Sequence, residues 1–165
     1  MKKLFPALLT AFVIALPAHA QQHSAFSGKW ALSQGRSDFG GGYVLTSRVD
    51  SITINGETFT DAIHSTSDNG DATYKISLAT DGKSVPVPDD SPLADAGILM
   101  VTAISAQWQG NSLVLTETLT SSFIPGTSKG TIAYALSPDG KLMSVTSTSD
   151  APFGSTTSRL IFEKI

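Results

Sequence analysis

Glu117 occupies the most unusual setting of any ionisable residue in this sequence. Read as a strand, residues 112–123 place Leu113, Leu115, Glu117, Leu119, Ser121 and Phe123 on one face, so a carboxylate shares its face with three leucines. A carboxylate carried into an apolar interior needs a partner or a raised pKa. Either it anchors a polar ligand group inside a cavity, or a bulge turns it outward, or Arg48 or Arg159 pairs with it structurally.

Other chemistry finds less support. Nucleophilic or acid–base catalysis needs a nucleophile beside a base, and Ser and Thr are too abundant here to single one out. His23 falls in an N-terminal stretch expected to fray. His64 is then the remaining base or metal-ligand candidate, but nothing stands at ligand spacing from it and a solvent-facing strand position accounts for it. Asp89, Asp90 and Asp95 lack the alternating spacing and the glycine of a calcium loop, and read as a solvated loop. The expectation is no catalytic set, no metal and no cofactor; an enzyme built on Glu117 and His64 is the third reading.

The aromatic residues Trp30, Tyr74, Trp108, Phe123 and Tyr134 fall on presumed inward faces. They form either plain core or, with Glu117, the lining of an apolar ligand pocket.

What must position these residues is a run of strands. In Phe26-Ser27-Gly28-Lys29-Trp30-Ala31-Leu32, the residues Phe26, Gly28, Trp30 and Leu32 alternate onto one face, which makes Trp30 the expected floor of the core. Gly28 suits a close approach by an indole or a crossing strand. Residues 34–43, rich in glycine, read as a loop. Strands follow at 44–54, 57–65, 72–79, 97–108, 112–123, 128–136, 141–149 and 155–164, with a bend or hairpin at 83–87. Asn55-Gly56 signals a hairpin with positive φ at both turn residues. Residues 88–96 carry two prolines and three acids and read as an unpaired loop. On 97–108, Ile98, Met100, Thr102, Ile104, Ala106 and Trp108 share a face.

No segment has helical period, so the chain is all-β. Consecutive hairpins predict a single antiparallel up-and-down barrel of about eight to ten strands, whose closure removes exposed edges. Small residues on presumed inward faces, Gly28, Thr102, Ala106 and Ser121, leave room for a cavity.

The beginning of the chain reads differently. Lys2 and Lys3, the apolar run Leu4 to Leu16 and Pro17-Ala18-His19-Ala20 have the order of a signal peptide cleaved near Ala20, predicting a periplasmic or secreted protein. The remaining part, of about 145 residues, suits one domain spanning residues 21–165. The h-region is too short to span a bilayer and nothing later is longer, so no membrane span is expected. There is no cysteine, which excludes a disulfide framework and a lipidated cysteine. Beyond the leader nine basic residues, scattered along the chain, face 14 acidic ones, which gives no electrostatic reason to bind nucleic acid or an anionic membrane.

Gly28-Lys29-Trp30 near the start and Arg159 in the last strand resemble the calycin barrels, the lipocalins and their relatives. In those families a Gly-x-Trp on the first strand and a basic residue on the last pack together at the closed end, so the resemblance implies that role for Gly28, Trp30 and Arg159. A group of exported bacterial lipocalin-like proteins with no assigned ligand is more similar still. Ser37-Asp38-Phe39, Asp81-Gly82-Lys83 with Pro86, and Asp139-Gly140-Lys141 match its pattern. The better-known lipocalins have a disulfide and a helix after the barrel that this chain lacks. The functional expectation is a non-enzymatic carrier of a small, mostly apolar molecule. The alternative is a solid barrel acting as an envelope protein-binding or inhibitor module through loops 34–43 and 88–96, its protein partner unknown.

Overall fold

The computed structural model describes residues 23–42, 44–91, 95–96, 99–123, 125–151 and 154–165. The leader assigned to residues 1–20 lies outside them.

Among these residues eleven strands form one antiparallel sheet: β1 (Gly28–Leu32), β2 (Leu45–Asn55), β3 (Thr58–Ser67), β4 (Gly70–Ala79), β5 (Val85–Pro86), β6 (Asp95–Ala96), β7 (Leu99–Gln109), β8 (Ser112–Thr120), β9 (Thr127–Leu136), β10 (Leu142–Ala151) and β11 (Gly154–Lys164). Ten lie on one hydrogen-bonded path, β4-β3-β2-β1-β11-β10-β9-β8-β7-β5, and β6 pairs with β7 beside it. The expected all-β, up-and-down, lipocalin-like barrel is the observed architecture. Its two halves meet through β1, held between β2 and β11. At the opposite side β4 lies against β7, but the sheet path ends at β4 and β5 without a ladder between them. The sheet curls into a half-barrel with one open seam.

Strand β1 closes one end. Trp30 is fully buried, and its Nε1–H donates to the Phe26 carbonyl at 2.8 Å, so the indole is buried with its polar atom satisfied. Gly28 (φ 140°) has Lys164 over it: a Cβ there would come within 2.9 Å of Lys164 Cε. The ammonium of Lys164 continues to 5.0 Å from the Trp30 ring and donates to the Ala25 carbonyl. The basic residue at this end is therefore Lys164, not Arg159. Trp30 stands opposite Lys164 in register; Arg159, an odd number of positions away, falls on the other face of β11 and is exposed.

The short motifs have local explanations. Ser37 Oγ donates to the Ser33 carbonyl and accepts from Ile161 N–H, Asp38 bridges Arg159 through the backbone, and Phe39 packs against the core. In Asp81-Gly82-Lys83 and Asp139-Gly140-Lys141 the aspartate accepts the backbone N–H of the lysine, with the glycine between at positive φ.

Several expectations need correction. Asn55 pairs with Thr58 across a two-residue turn, Gly56-Glu57, in which Gly56 (φ 58°) is left-handed and Glu57 does not have positive φ. That is a turn with glycine first. The loop 88–96 is not wholly unpaired, because Asp95 and Ala96 pair with Met100 and Leu99; residues 92–94 lie outside the described set. A register shift between Val101 and Ala103 resets the face of β7, burying Val101 beside Ile104 and Ala106 while Met100 is exposed. His23 is not frayed: its ring stacks on Trp108 at 3.7 Å. Loop 34–43 carries a 3-10 turn, Gln34–Arg36, and Gly40 lies so close to β11 that a Cβ would fall 2.0 Å from the Thr157 carbonyl oxygen.

Candidate functional site

Strand alternation turns Arg48 and Asp50 of β2, Asp61, Ile63 and Ser65 of β3, and Tyr74 and Ile76 of β4 into the barrel. Across the interior, Glu117 of β8, Ile132 and Tyr134 of β9, Val145 and Ser147 of β10 and Leu160 of β11 face them. Between them is a cavity of about 730 Å³. Ile63, Ile76, Val101, Ile132, Val145 and Leu160 supply apolar wall, and Arg48, Ser65, Tyr74, Glu117, Tyr134 and Ser147 supply polar atoms. A second space of about 320 Å³ lies beneath Phe39 to Gly42 and shares Glu117, Ile132 and Ser147 with the first. The interior thus runs from Arg48 and Tyr134 past Glu117 to the glycine-rich loop.

Its buried electrostatics centre on an ion pair. Arg48 donates from Nε to Asp50 Oδ1 at 2.7 Å and from an Nη to Oδ2 at 2.9 Å; Asp50 is fully buried. Burial works against the Arg48 charge, yet Asp50 more than offsets it and raises the guanidinium pKa. Burial pushes the Asp50 carboxyl up while Arg48 pulls it down. Beside the pair, Asp61 is also fully buried. Its Oδ2 accepts the Tyr134 hydroxyl at 3.4 Å, and its Oδ1 has no hydrogen-bond partner. Burial, reinforced by the neighbouring Asp50 charge, pushes Asp61 up to about 7. Burial likewise raises the pKa of Tyr74 and of Tyr134.

Glu117 points inward with no hydrogen bond or ion pair to any described residue, and burial alone raises its pKa. Neither suggested partner reaches it: Arg48 is committed to Asp50, and Arg159 is on the outside. No bulge turns it outward. Room for its carboxylate comes from Gly130 on β9, where a Cβ would stand 2.8 Å from Glu117 Oε2.

Of the six residues expected to line a pocket, the fold brings Tyr74, Glu117 and Tyr134 to this cavity. Trp30 is core at the closed end. Trp108 packs there against His23 and Phe26, and Phe123 is 79% exposed because β8 ends at Thr120. The space does not come from Gly28, Thr102, Ala106 and Ser121, none of which lines it. Sequence reasoning missed Ile63, Val101, Val145 and Leu160 of the apolar wall, and Asp50 and Asp61 beside it; period two on β2 and β3 was the available signal for Ile63, Asp50 and Asp61. His64 is exposed on the outer face, with Nδ1 2.9 Å from Thr73 Oγ1. No group of three potential metal-ligating acidic, histidine or cysteine side chains occurs among the described residues, and no described helix is long and apolar enough to cross a membrane.

No protein-family model matches the chain, and no curated protein matches it. Among solved structures, the zebrafish ileal bile acid-binding protein complexed with cholic acid aligns over 86% of this chain and 100% of its own, at 18% identity and a TM-score of 0.50. That likeness is one of fold: the two chains share an antiparallel up-and-down β-barrel architecture.

Proposed function

We propose that this protein is an exported, non-enzymatic carrier that sequesters one small, mostly apolar molecule inside its barrel. The observation that carries the reading is the cavity of about 730 Å³ with its aliphatic wall, within the usual range for small-molecule sites of roughly 300–1,000 Å³. Its Ile, Val and Leu side chains favour burial of apolar surface, and the polar groups between them, Arg48, Ser65, Tyr74, Glu117, Tyr134 and Ser147 among them, fix orientation. The similar zebrafish structure holds cholic acid, which supports the same use of this fold here. The cavity also favours a carrier over a solid barrel working through its loops, since residues 39–42 line the smaller interior space beside Glu117.

Export rests on the leader pattern of residues 1–20, with cleavage near Ala20 and a periplasmic or secreted destination. Native mass spectrometry of the protein purified from its own cells, compared with the same sample denatured, tests both statements. A mass lacking the first 20 residues supports export, and an additional mass lost on denaturation supports the carrier. A bare polypeptide that also fails to take up Nile red overturns the carrier reading.

A further inference from the structure

We propose that the cavity receives an amphiphile whose polar end is a cationic amine, with Glu117 as its counter-ion and the tail among Ile63, Ile76, Val101, Val145 and Leu160; this rests on the carrier reading above. Three observations converge on it. The first is the isolation of Glu117: its carboxylate faces both interior spaces, nothing among the described residues donates to it, and its Oε2 packs over Gly130, where there is no side chain to displace it.

The second is the charge of the lining. Among the described residues Arg48 is the only basic one on the walls of either space, and both its bonds go to Asp50. An acidic head group would have to break that buried pair or sit beside an unneutralised Glu117. Asp71 adds a further acid at the outer edge of the larger space. An ammonium, by contrast, brings three donors to a carboxylate that has none and restores the ionised form that burial opposes.

The third is Ser149 on the same inner face, lining the space beneath the glycine-rich loop with Glu117. Its hydroxyl is buried without a hydrogen-bond partner. A buried polar atom left unmatched is costly. A head group lodged there meets an acceptor in Glu117, and rotation of the Ser149 side chain about its Cα–Cβ bond would bring its buried hydroxyl to the same group, while the tail extends toward Tyr134.

The test is titration calorimetry of the full protein at pH 7.5 with dodecylamine, dodecanol and dodecanoate below their micelle concentrations, alongside uptake of neutral Nile red. The expected order is amine, then alcohol, then carboxylate, with at least about a tenfold gap between the ends. In Glu117→Gln the amine weakens about tenfold and the alcohol is unchanged, so the gap narrows. Dodecanoate binding as tightly as dodecylamine overturns the amine assignment while Nile red uptake upholds the carrier. Failure of Nile red and all three amphiphiles to bind overturns the carrier reading itself, and this proposal with it. The comparison among ligands on the unmodified protein needs no variant to fold.

Discussion

Arg48 and Asp50 stand two positions apart on β2 and face the same interior, so the guanidinium reaches along its own strand to grip the carboxylate with two bonds, at 2.7 and 2.9 Å. The side chain of Arg48 is 13% exposed and that of Asp50 fully buried. Removing one partner leaves the other charge stranded in the barrel. Arg48→Met should destabilise the fold by about 3–5 kcal/mol, read as a lower urea midpoint. The double variant Arg48→Met/Asp50→Leu should recover most of that loss, because both desolvation costs disappear together. Equal losses in single and double variants would show that Asp50 is not carried as a buried charge.

Asp61 gives stability a pH dependence of unusual sign. Its carboxyl rises from 3.8 to about 7 on folding, so between those values the folded chain holds a proton that the unfolded chain has released. Stability from this group is therefore greatest below pH 4, falls as pH rises towards 7, and levels off above it. The penalty at pH 8 is on the order of a few kcal/mol. Burial raises Asp50 and Glu117 in the same direction and adds to the slope. Asp61→Asn should raise the urea midpoint at pH 8, leave it nearly unchanged at pH 4, and flatten the profile between. An unaltered slope would mean that Asp61 does not change its proton affinity on folding.

The closed end depends on Trp30, buried completely beneath Lys164. Trp30→Ala should cost about 3–5 kcal/mol, measured by chemical denaturation, and a change within error would contradict its burial. Lys164→Met, which keeps the aliphatic stem over Gly28 and removes the charge, should cost no more than about 1 kcal/mol.

Strand order and faces were legible because period two and turn residues are local signals, and the chain is a meander in which neighbours in sequence pair in space. Glu117 was readable as an inward carboxylate for that reason. What local pattern could not carry was register. The bulge at Thr102 shifts β7 by one residue, and the end of β8 at Thr120 releases Phe123; neither has a sequence marker distinct from ordinary alternation. The partner of Arg48 escaped for another reason. An i, i+2 pair on one strand face competes with every cross-strand arrangement, and period two alone does not choose between them. Lys164 in place of Arg159 followed from one unknown, the β1–β11 pairing.

The glycine-rich loop is set on the barrel by close contact instead of by side chains. Gly40 has φ 60° and no room for a Cβ, which would lie 2.0 Å from the Thr157 carbonyl oxygen; Gly41, with φ 77°, has nothing within 4 Å. Asp38 Oδ1 accepts Gly40 N–H at 2.9 Å, and Asp38 exchanges backbone bonds with Arg159. Gly41→Ala therefore incurs only the left-handed backbone strain, about 1–2 kcal/mol, whereas Gly40→Ala adds a clash with backbone that cannot yield without lifting the loop from β11. Because residues 39–42 roof the space beside Glu117, lifting them should open the mouth of the cavity. Gly40→Ala should thus release bound Nile red several-fold faster in stopped-flow displacement, with Gly41→Ala near the unmodified protein. Equal release rates in the two variants would remove the loop from the path of the ligand.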